Sequence, residues 1–348
     1  MDFLLISTVK VVIILLVILT VVANLVYVER KISAFIQNRI GPNRVGPWGL
    51  LQSPADVLKL FIKEDIVPAK ANKFIHTLAP VISIFVALVT FAVVPFGDTV
   101  DLFGHQVKLM IADVNIGVLY ILALTSLGVY GVALSGWSSN NKYSLLGGLR
   151  SSAQLISYEL SMGLSIIGVI MIAGTLQLDR IVELQRGFAW NALFTPIGFI
   201  TFVVASFAET NRLPFDLPEA EPELVGGYHT EYSGMKFGTF FLAEYANMIT
   251  SSALIVTLFL GGWQFPFLDR LGFSPLWISI IQVLTFVTKV AVTLFFFMWI
   301  RWTIPRFRYD QLMNLGWKVM LPLALLNLVV TGGLLLGGAY DTLYELIT

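Results

Sequence analysis

Cysteine is absent from the 348 residues, which excludes disulfides and thiolate-ligated iron–sulfur clusters within the chain. Only three histidines occur, His76, His105 and His229, and haem ligation is therefore not expected. Charged residues make up 13% of the sequence and sum to a formal net charge of zero, so no bulk field attracts nucleic acid. We predict no metal site, and any redox cofactor belongs to a partner or is a diffusible ligand.

Long apolar stretches dominate the sequence instead. Hydrophobic residues reach 57%, and the 13% of charged residues compares with about 25% in soluble domains. A helix that spans a bilayer needs about 20 predominantly apolar residues. We predict an all-α polytopic membrane protein, a single transmembrane domain over 1–348 with about eight spans. The predicted spans are Phe3–Val28, Phe74–Val94, Ile116–Leu134, Ala153–Ala173, Trp190–Ala208, Phe237–Leu260, Leu276–Ile300 and Trp317–Tyr340.

Lysine and arginine are concentrated in the first, third and seventh loops between these spans. Loops rich in these residues remain on the cytoplasmic side of a membrane. The odd-numbered loops are therefore predicted to face the cytoplasm or the mitochondrial matrix, with both termini opposite. The chain begins with a span that is too long for a signal peptide. We expect a multi-pass protein of the bacterial cytoplasmic (inner) membrane, with the mitochondrial inner membrane as the alternative.

The first loop, 29–73, contains a segment with helical periodicity. The Gly and Pro residues of GPNRVGP predict turns. Ser53 is predicted to cap a helix with Pro54 at its first position. We interpret this segment as a short amphipathic helix along the membrane surface. A soluble helix packed on a partner is the alternative. The apolar face comprises Val57, Leu58, Phe61 and Ile62.

The fifth loop, 209–236, is acidic, and its prolines interrupt regular helix. Two interpretations remain open for it. It is either a solvated acidic loop or an ordered segment that folds back toward the membrane or binds a partner. Its acidic residues are Glu209, Asp216, Glu219, Glu221, Glu223 and Glu231, against the basic Arg212 and Lys236.

Carboxylates recur at one depth of the predicted bundle. Glu159, Glu209 and Glu244 belong to three consecutive spans and all fall in the cytoplasmic half. Ionisable groups at such positions are costly and therefore functional candidates. Together with Glu29 they predict a proton relay, whereas protonated carboxyls that hold helices together are the alternative. Tyr158, beside Glu159, could supply a hydroxyl.

The neighbours of these carboxylates are also polar or small. Glu244, Asn247 and Ser251 share one helical face. Glu159 lies nearly opposite a stripe of small residues that permits close helix packing. That stripe is Ser157, Ser161, Ser165 and Gly168.

Two lysines also fall within predicted spans. Lys289 lies near the middle of the seventh span and is expected to pair with an acid or a water chain. A place in a proton path and a structural ion pair both remain open for it. Lys10 lies early in the first span and is expected to extend its ammonium group to the membrane surface.

Three long segments resemble one protein family. VERKISAFIQNRIGPNRVGPWGLLQSPADVLKLFIKED at Val28–Asp65 closely resembles the first cytoplasmic loop of a membrane subunit of NADH:quinone oxidoreductase, respiratory complex I. This membrane protein is called subunit 1 in mitochondria and the H subunit in bacteria. ASFAETNRLPFDLPEAEPELVGGYHTEYSGMKFGTFFLAEYANM at Ala205–Met248 and RSSAQLISYEL at Arg150–Leu160 are similar to two further signatures of the family. His229 departs from it, since another polar residue, often Asn, is expected there.

The resemblance implies a role in the respiratory chain. Such a subunit lies where the peripheral arm meets the membrane arm, forms part of the quinone chamber and its entrance, and links quinone reduction to proton translocation. Ubiquinone is the expected substrate, FMN and the iron–sulfur clusters belong to partner subunits, and this chain alone has no complete active site. The implied proton path is Glu159, Tyr158, Glu209 and Glu244, reached through Asp216, Glu219, Glu221 and Glu223, and the implied chamber residues are Glu29, Arg30, Arg39, Arg212 and Phe241.

Other functions are compatible with the same residues. Homologous subunits occur in membrane-bound hydrogenase-type complexes, which differ in their electron donor. A stand-alone ion transporter is a second alternative, although the sequence has no clear internal repeat of the kind common in transporters. A purely structural anchor for a peripheral arm is a third, and it leaves the carboxylates without a role.

Overall fold

Helices account for nearly all regular structure in the computed structural model, which describes residues 2–102, 105–216, 224–266, 274–338 and 340. Short 3-10 turns occur at Pro47–Gly49, Phe91–Val93 and Gly227–His229, and a π-helical segment, Leu315–Met320, joins the last two helices. The helices and strands are α1 (Asp2–Ile36), α2 (Gln52–Ile62), α3 (Lys73–Thr90), β1 (Thr99–Leu102), β2 (His105–Lys108), α4 (Gly117–Ser138), α5 (Lys142–Ala173), α6 (Leu178–Glu183), α7 (Asn191–Phe194), α8 (Pro196–Glu209), α9 (Gly234–Phe259), α10 (Pro275–Thr303), α11 (Tyr309–Asn314) and α12 (Leu321–Leu336).

The predicted all-α membrane fold is confirmed. Seven helical stretches of the described residues are long and apolar enough to cross a membrane, with α11, the π-helical segment and α12 counted as one. The fifth predicted span, Trp190–Ala208, is wrong as a continuous helix, because α7 and α8 are separated at Thr195. Pro196 disfavours helical backbone at the residue before it, and Thr195 has φ −126° and ψ 64°. The 14 residues of α8 extend about 21 Å.

The fourth span is longer than predicted. α5 begins at Lys142, eleven residues before the expected Ala153. Asn141 caps it by accepting a hydrogen bond from the Tyr143 backbone N–H at 2.9 Å. At the other end Gly174 adopts the left-handed conformation with φ 64°, a typical helix terminator. The additional turns carry α5 beyond the apolar core of the bundle.

Alternate loops meet on the same face of the bundle, as the predicted topology requires. The Asn72 N–H of loop one donates to the Ser138 carbonyl at 3.0 Å, and the Phe307 N–H of loop seven donates to the Pro214 carbonyl of loop five at 3.2 Å. We call this side the odd-loop face. On the opposite, even-loop face, the β1–β2 hairpin approaches α6, where Lys108 lies 3.1 Å from Asp179.

Lys108 organises the even-loop face. Its ammonium group also lies 2.6 Å from Asp113, and this hydrogen bond lowers the pKa of Asp113 and raises that of Lys108. The Nζ of Lys10, from α1, donates to the Lys108 carbonyl at 2.9 Å. Lys10 therefore extends to this face, as expected for a lysine near the end of a span.

The small-residue stripe of α5 packs against the last helices. An added Cβ at Gly168 would lie 2.6 Å from Nδ2 of Asn327 on α12. The Trp317 indole N–H donates to the Ser157 hydroxyl at 3.0 Å, and Ser161 and Ser165 are fully buried. The close packing predicted for this face of α5 is thus present in the structure.

The surface helix α2 begins one residue before Ser53, so the predicted capping role of Ser53 is wrong. Leu51 occupies the cap position, and the buried Ser53 hydroxyl has no hydrogen-bond partner among the described residues. One side of α2 packs on α9, where Leu60 lies against Gly238. The opposite side exposes the predicted apolar face, with Phe61 63% and Ile62 85% exposed. The helix therefore presents an apolar edge to its surroundings.

Candidate functional site

A cavity of about 680 Å³ lies in the odd-loop half of the molecule between α1, α2, α9 and the end of α10. It follows α1 from Leu19 to Arg30, a path of roughly 16 Å along the helix. Its walls are mostly apolar, with Phe237 and Phe241 among them. Its polar groups include Glu29, Tyr245 and Arg301 at the odd-loop end. The cavity has the size and lining typical of a small-molecule site, and its shape suits an amphiphile with a long apolar tail.

Glu29, at the end of this cavity, is 4% exposed and is bound by three side chains. The Tyr245 hydroxyl donates to its Oε2 at 2.8 Å. The Arg301 guanidinium donates to its Oε1, and Arg212 Nη1 lies 3.4 Å from Oε2. Charge-assisted contacts of this kind are stronger than neutral ones. α1, α9, α10 and the fifth loop are thereby joined at one carboxylate.

Arg212 connects Glu29 with Glu244. The Arg212 side chain is 2% exposed, and its Nε lies 3.2 Å from Oε1 of Glu244. Its guanidinium also lies 4.1 Å from the centre of the Tyr245 ring. Burial opposes the charged form, but Glu244 and Glu29 outweigh it and raise the pKa of Arg212. The guanidinium is therefore a permanent positive charge shared by two carboxylates.

The remaining carboxylates of the bundle lie on the far side of Glu244 from the cavity. Glu244 and Glu209 line one small cavity of about 60 Å³, which has room for several water molecules. Glu209 also interacts electrostatically with Glu159. Glu159 in turn accepts a hydrogen bond from the Ser126 hydroxyl of α4. The arrangement is a series of acidic groups that runs from the large cavity into the centre of the bundle.

The other predicted path residues lie around this series. The Tyr158 hydroxyl is engaged by α11, because it donates to the Leu312 carbonyl at 2.9 Å. Asp216 is buried and pairs with Arg306 at 2.8 Å, which ties loop five to loop seven. Glu219, Glu221 and Glu223 lie outside the described residues.

The predicted chamber residues occupy different positions. Arg30 lines the large cavity and binds Asp56 of α2 at 2.5 Å. Phe241 lines it from α9. Arg39 is exposed, hydrogen bonds to Gln37 at 2.7 Å, and does not line this cavity. Arg212 reaches its end through Glu29 and the Tyr245 ring.

Tyr245 and Arg301 were not identified as site residues from the sequence. Arg301 follows the seventh predicted span and counts there only among the basic residues of the seventh loop, and its partner Glu29 lies 272 positions away. Two signals could have found them. Arg301 ends a span at the same membrane face as Glu29, and Tyr245 directly follows an acidic residue within a span.

His229, which departs from the family pattern, lies in an aromatic cluster between the two cavities. Its ring centre is 3.7 Å from that of Tyr228, which lines the small cavity, and 6.0 Å from that of Phe241, which lines the large one. His229 is 6% exposed, and burial lowers its pKa to about 3. The imidazole is therefore neutral near pH 7 and serves as packing.

Metal ligands do not converge anywhere in the described ranges: no group of three or more His, Asp or Glu side chains there could hold an ion. The site is built from carboxylates, guanidiniums and aromatic rings. Such a set binds and orients an organic ligand and exchanges protons with it.

Comparison with known proteins gives consistent similarities along the chain. Residues 9–332 match the sequence model of the NADH dehydrogenase family. The chain is 51% identical over 335 residues to one NADH-quinone oxidoreductase H subunit of Cytophaga hutchinsonii, covering 96% of this chain and 98% of that protein. It is 57% identical to NADH-quinone oxidoreductase subunit 8 of Rhodothermus marinus, covering 88% and 90%. It is 54% identical to the NADH-quinone oxidoreductase H subunit of Salinibacter ruber, covering 90% and 92%.

Proposed function

The chain belongs to the H-subunit family of NADH-quinone oxidoreductase, and from this premise we propose that it forms part of the quinone chamber and couples quinone reduction to proton translocation. One observation carries the proposal. The large cavity ends at Glu29, and Arg212 joins Glu29 to the carboxylates of the bundle. A ligand that changes charge at this end therefore acts on Glu244 through a shared cation.

The cavity suits a quinone with an isoprenoid tail, of which ubiquinone is one. Apolar residues of α1 and α9, such as Val26 and Phe241, would contact the tail. The odd-loop end offers the guanidinium of Arg301, which has five N–H donors and so can bind a carbonyl oxygen of a quinone head as well as Glu29. Arg30 and Asp56, which join α1 to α2, would frame the entrance beside the exposed apolar edge of the surface helix.

Coupling would proceed through electrostatics. Reduction of a quinone to a quinol consumes two electrons, delivered by the FMN and iron–sulfur clusters of partner subunits, and two protons. Negative charge near Glu29 competes for Arg212, and the hold of Arg212 on Glu244 weakens in response. Charges couple strongly where water is excluded. The change passes to Glu209 and Glu159, which exchange protons with the small cavity and with Ser126.

The acidic fifth loop would supply protons to this series from the odd-loop face. Asp216 is its described member, and Glu219, Glu221 and Glu223 complete the proposed route. Tyr158 would hold α5, and with it Glu159, against α11. Other membrane-arm and peripheral-arm subunits of complex I are the expected partners, with the peripheral arm on the odd-loop face. The relatives quoted above are bacterial, which favours the bacterial inner membrane.

Glu159→Gln tests the proposal, because glutamine keeps the size and the hydrogen-bond acceptor of Glu159 but cannot ionise. Three rates are measured in native membranes: NADH oxidation by a soluble acceptor, NADH:quinone reduction, and proton translocation. Glu183→Gln is the matched control, since Glu183 pairs with Arg180 on the opposite, even-loop face.

We expect the soluble-acceptor rate to survive in Glu159→Gln while quinone reduction and pumping fall together. The Glu183→Gln control retains all three. If the Glu159 variant also retains all three, the Glu159 carboxyl is structural and the series loses its central member.

A further inference from the structure

Polar side chains bind the backbone carbonyls at the even-loop end of α9, and the proposed function does not use them. We call these side chains the polar clasp. α9 ends at Phe259, and the chain then turns through Leu260–Gln264. The last carbonyl groups of any helix lack partners within that helix. In a membrane they cannot turn to water, so other groups must satisfy them.

Two amide side chains bind the first of these carbonyls. Gln185 Nε2 donates to the Thr257 carbonyl at 2.9 Å, and Asn191 Nδ2 donates to the Leu258 carbonyl at 2.8 Å. The Gln185 oxygen also accepts from the Gly261 N–H at 3.1 Å. All these groups are buried, so this part of the clasp is rigid and neutral.

Lys289 binds three further carbonyls in the turn that follows α9. Its Nζ lies 2.7 Å from the Leu260 oxygen, 2.9 Å from that of Gln264 and 3.2 Å from that of Gly262. The ammonium also lies 5.0 Å from the centre of the Trp190 ring, within the range of a cation–π contact. An ammonium group has three N–H donors, and three carbonyl acceptors match them. The sequence predicted an acid partner or a water chain for Lys289. Among the described residues, its ammonium group is instead bound by backbone carbonyls, which corrects the expected acid partner.

The backbone around Lys289 is folded so tightly that two glycines are required. Gly261 and Gly262 have φ values of +74° and +49°. An added Cβ would lie 2.9 Å from the Trp190 ring at Gly261 and 2.6 Å from Val182 at Gly262. The turn is thus shaped to direct its oxygens toward a single point.

We propose that Leu260, Gly262 and Gln264 form a carbonyl cage for a cation with N–H donors, and that Lys289 fills it as a tethered ligand. Lys289 then anchors the even-loop end of α9 and does not carry protons. Neutral carbonyls cannot accept the proton that a carrier must pass on. The other half of the same helix bears Glu244 and Tyr245, so the anchor fixes the helix that carries them.

Chemical rescue in the assembled complex tests this proposal. Lys289→Ala empties the cage, and we expect the thermal transition of the complex to fall by several degrees. Methylammonium, which has three N–H donors, is expected to restore part of the loss, whereas tetramethylammonium, which has none, is not. The number of protons translocated per electron in the surviving complex stays at the wild-type value.

Lys10→Ala is the matched control. Lys10 is also a span lysine that binds backbone carbonyls, at Lys108 and Met110, but it lies at the even-loop surface and its oxygens do not form a closed cage. Methylammonium is expected to leave the thermal transition of this variant unchanged. Equal rescue of both variants would overturn the cage, because the amine would then act on the whole complex.

Two results would contradict the proposal directly. One is an unchanged thermal transition in Lys289→Ala with fewer protons per electron, which is the behaviour of a proton carrier. The other is the absence of any difference between the two amines. These results can be distinguished from those of Glu159→Gln, because that variant is judged by its rates of quinone reduction and proton translocation.

If the complex with Lys289→Ala does not assemble, a second pair of variants tests the cage. Lys289→Arg keeps the charge and N–H donors, whereas Lys289→Met keeps only the length. The cage predicts that the arginine variant assembles to a greater extent than the methionine variant. Equal assembly of the two would overturn it.

Discussion

Arg212 and Lys289 are two cations beside opposite halves of α9, Arg212 buried and Lys289 partly buried, and their partners differ in kind. Each lies over an aromatic ring, at 4.1 Å from Tyr245 for Arg212 and 5.0 Å from Trp190 for Lys289. Arg212 is bound by carboxylates, whereas Lys289 is bound by backbone carbonyls. A carboxylate can take up a proton and release its cation, and a carbonyl cannot. One helix therefore has a responsive end and a fixed end.

The responsive end gains its sensitivity from low solvent exposure. Two unit charges 4 Å apart interact by about 4 kcal/mol at an effective dielectric constant of 20, against about 1 kcal/mol in water. Protonation of either Glu29 or Glu244 thus changes the environment of Arg212 by more than thermal energy. At the fixed end, by contrast, the acceptors are backbone carbonyls, which keep their partial charge at every pH.

Arg212→Met is expected to have the largest effect, because it removes the cation of the responsive end. It leaves the buried Glu29 and the partly buried Glu244 without their shared cation, and loss of one partner of a buried pair costs about 3–5 kcal/mol. We expect NADH:quinone reduction to fall roughly 100-fold or more, since about 1.4 kcal/mol corresponds to a tenfold change. The soluble-acceptor rate, measured in the same membranes, is expected to remain. Arg39→Met is the control, because Arg39 is exposed and lies outside the cavity lining. Equal rates for the two variants would refute the role of Arg212.

Tyr245→Phe tests the responsive end by removing a single hydrogen-bond donor. The variant loses the 2.8 Å hydrogen bond to Glu29 but keeps the ring beneath Arg212. A hydrogen bond to a charged group contributes about 1.5–3 kcal/mol, so we expect a loss of roughly tenfold or more in kcat/KM for quinone. Tyr120→Phe removes a 3.4 Å bond to the Val89 carbonyl and should have little effect. If kcat/KM changes equally in both variants, the Tyr245 hydroxyl has no specific role.

His229→Asn tests how a buried imidazole, packed between aromatic rings beside α9, contributes to the pH dependence of stability. The pKa of His229 is about 3 in the fold, against about 6.5 in an unfolded chain. Between these values the unfolded state binds more protons, so the stability of the native protein rises with pH in this window and is complete above about pH 6.5. Acidification below that point costs up to about 1.4 kcal/mol per pH unit.

Asparagine does not titrate, so its variant should lose this part of the acid sensitivity. We expect the thermal transition of the wild-type complex to fall more steeply than that of the variant between about pH 6.5 and 5. Soluble-acceptor activity, followed over the same range, reports on the peripheral arm. Parallel curves for the two proteins would show that His229 already titrates normally.

Much of this architecture could be predicted from apolar run length and charge placement. The spans, the alternation of loops and the common depth of Glu159, Glu209 and Glu244 follow from those two signals. The interruption of the fifth span was missed even though Pro196 marks it. The apolar run continues across that residue, and composition alone does not register the break.

The missing parts of the site depend on contacts between distant segments. The convergence of Glu29, Arg212, Tyr245 and Arg301 joins four elements, and no spacing in the sequence encodes it. The partners of Lys289 were missed for another reason. Sequence reasoning pairs charges with charges, whereas its acceptors are backbone oxygens that every residue possesses.

The π-helical segment Leu315–Met320 changes the rotation of α12 relative to α11. Together the two helices can therefore contact both α5 and α8, which a regular helix would not do with the same residues. Before this segment, the Leu312 carbonyl accepts a hydrogen bond from the Tyr158 hydroxyl. After it, the Asn327 side-chain oxygen accepts one from the Gly198 N–H. Each residue of an α-helix advances by about 100° around the axis. Loss of a single residue here would regularise the helix and turn Asn327 away from α8. The length of this segment is therefore tied to the packing of α12 on α8.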